Sequence, residues 1–217
     1  YAGSPTPLIS GAWGAEVSVH GTDGLGDANA RVDSARRLQA EPAAQALVRI
    51  ARENPGELTL IALGPLTNVA LACRLDPEFP SLIKKFVFMG GTITAQGNTP
   101  NPTAEYNMYC DPEAAHIVLD AFPRATMLSW ETTMAHPMPW ADYDRLCGMR
   151  TSAAEFFAAS SHNMAAFIKA YPGAVGYLLP DPLAMAVTLD PSLIVESVPA
   201  RVYMELQGTL TRGQTVL

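Results

Sequence analysis

Apolar and polar positions alternate along the chain in a recurring order: short apolar runs, then longer stretches with helical spacing. The run ELTLIAL at Glu57–Leu63 is rich in strand formers and ends at Gly64-Pro65. It predicts a buried strand. LTNVALACRL follows with apolar residues at helical spacing, and Pro65 suits an early helical position. KKFVFMGG predicts a second strand, stopped by Gly90 and Gly91. A polar loop of Thr, Gln, Asn and Pro runs from Thr92 to Thr103. DPEAAHIVLDAF then opens a helix, with Asp111 as its N-cap, Pro112 at the first position and Glu113 in the first turn. ATMLSW predicts a third strand. EPAAQALVRIAREN predicts a helix ahead of the first strand, and SAAEFFAASSHNMAAFIKAY a longer one later. LIVESVPARVYMEL reads as one or two strands.

Strands that alternate with helices predict an α/β fold: a mainly parallel sheet flanked by helices on both faces. No internal repeat or low-complexity linker interrupts the pattern, so a single domain over residues 1–217 is expected. In open α/β sheets, ligands bind beyond the carboxyl ends of the strands. Three places then matter: Leu63-Gly64, Met89-Gly90-Gly91 with its loop, and Ser129-Trp130-Glu131. The loop after Met89, at about a dozen residues, is long for a compact connection, and such loops are often functional.

Composition narrows the function classes. Apolar residues make up 48% and charged residues 16% of the 217, which is the make-up of a folded chain. The net charge is −7, and the longest basic runs are the pairs Arg36-Arg37 and Lys84-Lys85. That lacks the electrostatic footprint of nucleic-acid backbone binding. No apolar run reaches the roughly 18 residues of a membrane helix. Cys73, Cys110 and Cys147 are odd in number and far apart. They read as ordinary buried thiols in a reducing compartment, and a cytoplasmic location is expected.

Candidate chemistry begins at the end of the polar loop, in NPTAEYNMYCDPEAA. Glu105 and Asn107 are two apart, and in an extended segment such residues point the same way. A carboxylate and an amide projecting together can grip vicinal hydroxyls, because one accepts while the other donates and accepts. The alternative is a solvent-exposed turn. His20 stands beside a glycine-rich turn in SVHGTDGLGD, as a ligand contact or a hydrogen-bonded structural histidine. His116, His136 and His162 show no metal-binding spacing, and no G-x-S-x-G anchors a serine nucleophile. Asp181 sits in GYLLPDPLAMAVTLDP, where Asp181-Pro182 repeats the cap grammar of Asp111-Pro112. Local pattern makes it a helix N-cap.

Together these pieces resemble the inosine-uridine-preferring nucleoside hydrolase family. The resemblance rests on HGTDGLGD, LIALGPLTNVALACRLDP, FVFMGG, GNTPNPTAEYNMYCDPEAAHIVL and LPDPLAMAVTLDPSL, in this order and at this spacing. It implies a Rossmann-like nucleoside hydrolase fold and calcium-dependent cleavage of the N-glycosidic bond of ribonucleosides. By the same resemblance, Asp181 is a calcium ligand and Leu63 offers its backbone carbonyl to the metal. Glu105, Asn107 and Asn98 would hold the ribose hydroxyls, with Met89 as a sulfur-bearing wall. His20 and Tyr106 would lie near the nucleoside pocket. A homo-oligomer, dimer or tetramer, is also implied. Such chemistry builds an oxocarbenium-like cation on the sugar, which carboxylates and oriented amides stabilise.

Two departures shape the expectation. The family's N-terminal D-x-D-x-x-x-D-D segment, source of most metal ligands and of the general base, has no counterpart here, and the family's last strand and helices are also missing. The resemblance therefore implies an internal stretch of a longer protein, inactive alone. Second, some members carry a histidine acid just before the metal aspartate, where this chain has Pro180. Proline cannot donate a proton, so the acid is another residue, His162 or a lid residue, or the base leaves without one. Trp130, Tyr106 and Tyr177 are candidates for stacking on the base. Two other readings compete: a non-catalytic ribose- or nucleoside-binding module on the same scaffold, and a different α/β hydrolase acting on another ribosyl compound.

Overall fold

The fold is taken from a computed structural model that describes residues 1–9, 19–28 and 38–217. Helix α1 (Ala43–Glu53) leads into β1 (Thr59–Ala62), then α2 (Thr67–Leu75), α3 (Phe79–Leu82) and β2 (Lys85–Met89). After the polar loop come α4 (Tyr106–Cys110), α5 (Pro112–Ala121), β3 (Thr126–Leu128) and α6 (Trp130–Ala135). The strand pair β4 (Met138–Pro139) and β5 (Gly176–Tyr177) encloses α7 (Trp140–Cys147) and α8 (Ser152–Lys169). Helix α9 (Pro180–Leu189), a 3-10 turn at Pro191–Leu193, β6 (Tyr203–Met204) and β7 (Thr215–Val216) complete the order.

The three predicted strands form one parallel sheet in the order β1-β2-β3, with Ile61 paired to Val87 and Val87 to Thr126. Central β2 is buried along most of its length and alternates between two faces. Phe86 and Phe88 pack with Ala51 of α1, Val69 and Cys73 of α2, and Val118 and Leu119 of α5. Met89 points the other way, onto Leu128 and Ala184 of α9. Helices thus cover both faces of the sheet, as the alternating pattern predicts. The aromatic rings of Phe86 and Phe122 meet at 4.6 Å, and Phe79 meets Phe122 edge-on at 6.1 Å.

Two details differ from the sequence expectation. Helix α2 starts at Thr67 with Leu66 at its N-cap, so Pro65 lies just outside it. Of the one or two strands expected in LIVESVPARVYMEL, only Tyr203–Met204 is strand, paired antiparallel with Thr215–Val216. Residues 191–200 are exposed throughout, and Asp190 caps a 3-10 turn at Ser192 instead.

Contacts divide the chain into two compact units. Unit 1 comprises Tyr1–Gly14, Leu38–Thr133 and Pro180–Leu217 and holds the parallel sheet. Unit 2 comprises Ala15–Arg37 and Met134–Leu179. Its core is aromatic: the Tyr143 and Tyr177 rings meet at 4.9 Å, tilted by 33°, ringed by Trp140 and Phe157. The chain enters each unit more than once, and the hydrophobic spacing within each segment carries no trace of that interleaving.

Cys73 and Cys110 are buried and Cys147 half-buried, all as free thiols. Burial pushes the Cys73 thiol up to about 11, which suits an inert core residue. Among the described residues, no helix is long and apolar enough to cross a membrane.

Candidate active site

The site is built where β2 ends. The chain leaves Met89 through Gly90 and Gly91, and Gly91 takes a positive φ of 79°. A side chain at either glycine would force its neighbours to shift: a Cβ on Gly90 would lie 2.7 Å from Met108 Cε, and one on Gly91 2.9 Å from Thr215 Cγ2. The absent side chains let Glu105 and the β7 segment close against the backbone.

Glu105 sits at the N-cap of α4 with extended backbone, φ −83° and ψ 150°. The helix begins at the next residue, so Asn107 is helical. The extended i, i+2 pair expected from the sequence is thereby replaced by a capped helix start. One carboxylate oxygen accepts the Asn107 N–H at 2.9 Å; the other accepts the Gly91 N–H at 2.9 Å and that of Met108 at 3.3 Å. Nor is this a solvent-exposed turn: Glu105 is 2% and Asn107 8% exposed. Burial, joined by the negative charge of Asp181, raises the Glu105 carboxyl to about 7 against the pull of its three N–H donors.

Asn107 turns its side-chain amide to Met89, donating to the carbonyl at 3.1 Å and to the sulfur at 3.4 Å. Met89, Glu105 and Asn107 therefore form one buried cluster at the carboxyl end of β2. Asp181 belongs to the same neighbourhood through its charge on Glu105. It occupies the first turn of α9, which begins at Pro180, so the N-cap expectation for Asp181 does not hold. Asp181 lies one turn before Ala184, which is fully buried against Met89 and Leu128. The i, i+3 spacing puts the carboxylate on that same face. Leu63 directly follows β1, its side chain 39% exposed. Carboxylate and carbonyl oxygens are the hard donors that calcium takes. Among the described residues, no group of three or more His, Cys, Asp or Glu gathers as a metal site.

The loop from Thr92 to Thr103 is held in place at several points. Asn98 accepts the Tyr106 N–H at 2.9 Å and, through its own N–H, meets the Ala104 carbonyl at 3.1 Å. Its side-chain carbonyl therefore ties the loop to the start of α4, and Tyr106 is 46% exposed beside it. Asn101 donates to the Arg212 carbonyl at 2.9 Å, and Arg212 grips Glu113 with two bonds of 2.7 and 2.8 Å. Trp130 packs on the Met89–Leu128–Ala184 cluster. Local pattern gives no sign of Thr215 or of the contacts of Glu131. Their partners lie 123 and 37–38 residues away.

His20 and His162 lie in unit 2. His20 is exposed and adjoins a glycine turn that closes on itself, with Asp27 accepting from Thr22 at 2.7 Å and Asp23 accepting from Leu25 at 2.7 Å. Gly26 of that turn lies against the Ser160 carbonyl, with no space for a side chain. His162 is exposed on α8, its Nδ1 2.7 Å from the Ala159 carbonyl. Tyr177 is buried in the aromatic core of unit 2 and so is a packing residue, not a free stacking platform.

Comparison with known proteins agrees with this architecture. The profile of the family described as inosine-uridine preferring nucleoside hydrolase matches residues 1–217. Uridine nucleosidase 1 of Arabidopsis thaliana is 34% identical over 219 residues, covering 99% of this chain and 63% of the relative. The inosine-uridine preferring nucleoside hydrolase of Leishmania major is 33% identical over 218 residues, covering 100% of this chain and 68% of the relative. A solved inosine-guanosine nucleoside hydrolase superposes with a TM-score of 0.87 at 33% identity, over 99% of this chain and 68% of its own. The matches span between 34% and 68% of the length of the first curated relatives.

Proposed function

Because the chain belongs to the inosine-uridine preferring nucleoside hydrolase family, we propose that it supplies the ribose-holding wall, and part of a calcium site, of an enzyme that hydrolyses the N-glycosidic bond of ribonucleosides to ribose and free base. The two units are, in this reading, parts of one nucleoside-hydrolase domain. The observation that carries the proposal is the buried Glu105–Asn107 pair at the carboxyl end of the central strand, beside Met89 and under the charge of Asp181.

Glu105 and Asn107 take the ribose hydroxyls, with Asn98 and Tyr106 at the loop's end; by family resemblance His20 is a further substrate-binding residue. The Met89 sulfur forms the wall. As the C1'–N bond breaks, positive charge grows on the sugar ring, and a carboxylate held dry by fixed N–H donors stabilises it without reorganising. Asp181 and the Leu63 carbonyl would hold calcium, an oxygen-seeking cation that would offset the Asp181 charge and make water more acidic. Pro180 has no proton to give, so a departing base that needs one takes it from another residue; His162 is a candidate by residue type. The reading places the enzyme in the cytoplasm as a homo-oligomer, dimer or tetramer.

Ribose release from inosine, uridine and adenosine, with and without a calcium chelator, tests this. Release from at least one nucleoside that stops on chelation is the expected result. Nucleoside binding with no ribose released would instead mark a sugar-binding module. Release from other ribosyl compounds alone would mark a different hydrolase.

A further inference from the structure

Each backbone N–H from Gly90 to Thr94, where the chain leaves β2, meets an acceptor. Gly90 N–H donates to the Leu128 carbonyl at 3.0 Å, Gly91 to Glu105 at 2.9 Å and Thr92 to the Thr215 hydroxyl at 2.6 Å. Ile93 donates to both oxygens of Glu131, at 2.8 and 2.9 Å, and Thr94 to Glu131 Oε1 at 2.8 Å. The Thr94 hydroxyl adds a bond of 3.1 Å to the same oxygen. Next to Glu131, the Trp130 N–H donates to the Gly91 carbonyl at 2.9 Å.

The first turn of α6 therefore grips this backbone twice within four residues. Trp130 holds the carbonyl of Gly91, and Glu131 holds the N–H groups of Ile93 and Thr94. Only Thr92 separates those grips, and immediately ahead of them the chain passes through the positive φ of Gly91, a conformation open to glycine. The Gly91 N–H, one of the three donors that fix Glu105, belongs to the same residue whose carbonyl Trp130 holds, so the two anchors restrain the chain just beyond that donor. Glu131 is half-buried; burial pushes its carboxyl up, but the Thr94, Ile93 and Glu131 N–H groups and the Ser129 side chain together hold it below the usual carboxylate range.

We propose that Glu131 is a positioning residue for Glu105, acting through the backbone of Gly91–Thr94 to hold the ribose-binding carboxylate in register. Its effect on turnover rests on the nucleoside hydrolase reading; its effect on the backbone does not. A glutamine at this place loses the negative charge and the second acceptor of the Ile93 N–H, and turns an NH2 group toward that donor, so it holds this backbone more weakly than the carboxylate does.

The test is Glu131→Gln in the full-length protein, alone and combined with Glu105→Gln. Glu131→Gln is expected to lower kcat/KM for ribonucleosides by about tenfold or more, mostly in kcat. In the Glu105→Gln background it should change kcat/KM less than about twofold, since a residue acting through another adds little once that one is gone. Full multiplication of the two losses, or an unchanged kcat/KM in the single variant, overturns the proposal. Amide hydrogen exchange decides it independently of turnover. Exchange at Gly91 should quicken along with Ile93 and Thr94 in Glu131→Gln; faster exchange confined to Ile93 and Thr94 also overturns it. A wild-type protein that releases no ribose refutes the functional reading, and exchange at Gly91 then decides by itself whether Glu131 positions this backbone.

Discussion

Thr215→Val isolates what the β7 segment does for the site. Thr215 Oγ1 accepts the Thr92 N–H at 2.6 Å and donates to the Thr92 carbonyl, and both residues are buried, at 3% and 0% exposure. Valine matches threonine in shape, so no cavity opens and the change is confined to hydrogen bonding. Two buried backbone groups lose their partner at once. Each costs about 1–3 kcal/mol when left unsatisfied, and neighbouring losses are not fully additive, so a total near ~3 kcal/mol is expected. Thr215→Ser is the control. It keeps the hydroxyl and loses one methyl, for about 1 kcal/mol. Urea denaturation reads both: at a slope of about 2 kcal/mol/M, the valine variant should unfold roughly 1.5 M earlier than wild type and the serine variant roughly 0.5 M earlier. A valine variant within about 0.5 kcal/mol of wild type, or a serine variant as damaged as valine, would refute the claim that this hydroxyl satisfies the loop backbone.

Three further outcomes are expected. Asp181→Ala should abolish calcium binding measured by titration calorimetry; wild-type affinity would remove Asp181 from the metal site. Glu113 is held below the usual carboxylate range by its bond to Arg212. A lowered folded value contributes stability above the unfolded pKa and loses it as pH falls through the folded one, so Glu113→Gln should be less stable than wild type by about 0.5–1 kcal/mol near pH 7 and match it near pH 3. A gap that widens toward acid would reverse this sign. Gly91→Ala puts a Cβ at a φ of 79° and 2.9 Å from Thr215 Cγ2, and should lower stability by about 1–3 kcal/mol, read by thermal unfolding; an unchanged melting temperature would show that the turn relaxes freely.

Much of the fold is legible in the sequence because it is written in local periodicity. The runs ELTLIAL, KKFVFMGG and ATMLSW form the three parallel strands, and Asp111 caps α5 through the Ala114 N–H as its Asp-Pro-Glu pattern predicts. Glu105 and Asn107 stand out by residue type, but their geometry does not: a two-residue spacing is extended or helical according to where the helix starts, and the carboxylate itself sets that start. Asp181 and Asp111 share the same Asp-Pro grammar, yet one lies within its helix and the other caps it. The difference is Pro180, which supplies the first helical residue ahead of Asp181. Glu131 is visible in the sequence only as a residue past the end of a strand. Its partners depend on the parallel pairing of β2 with β3, which brings Leu128 beside Met89. The interleaving of the two units is invisible for the same reason, being a property of long-range contacts.

Glu105, buried at the end of the central strand, is the group proposed to hold a ribonucleoside for hydrolysis. The decisive measurement is ribose release by full-length wild type and Glu105→Gln, each assayed on inosine and uridine with calcium and with a chelator. Wild type should release ribose with calcium and none with chelator. A Glu105→Gln protein that remains folded by circular dichroism should lose about a hundredfold or more. Undiminished release by folded Glu105→Gln would show that the buried carboxylate does not hold the substrate.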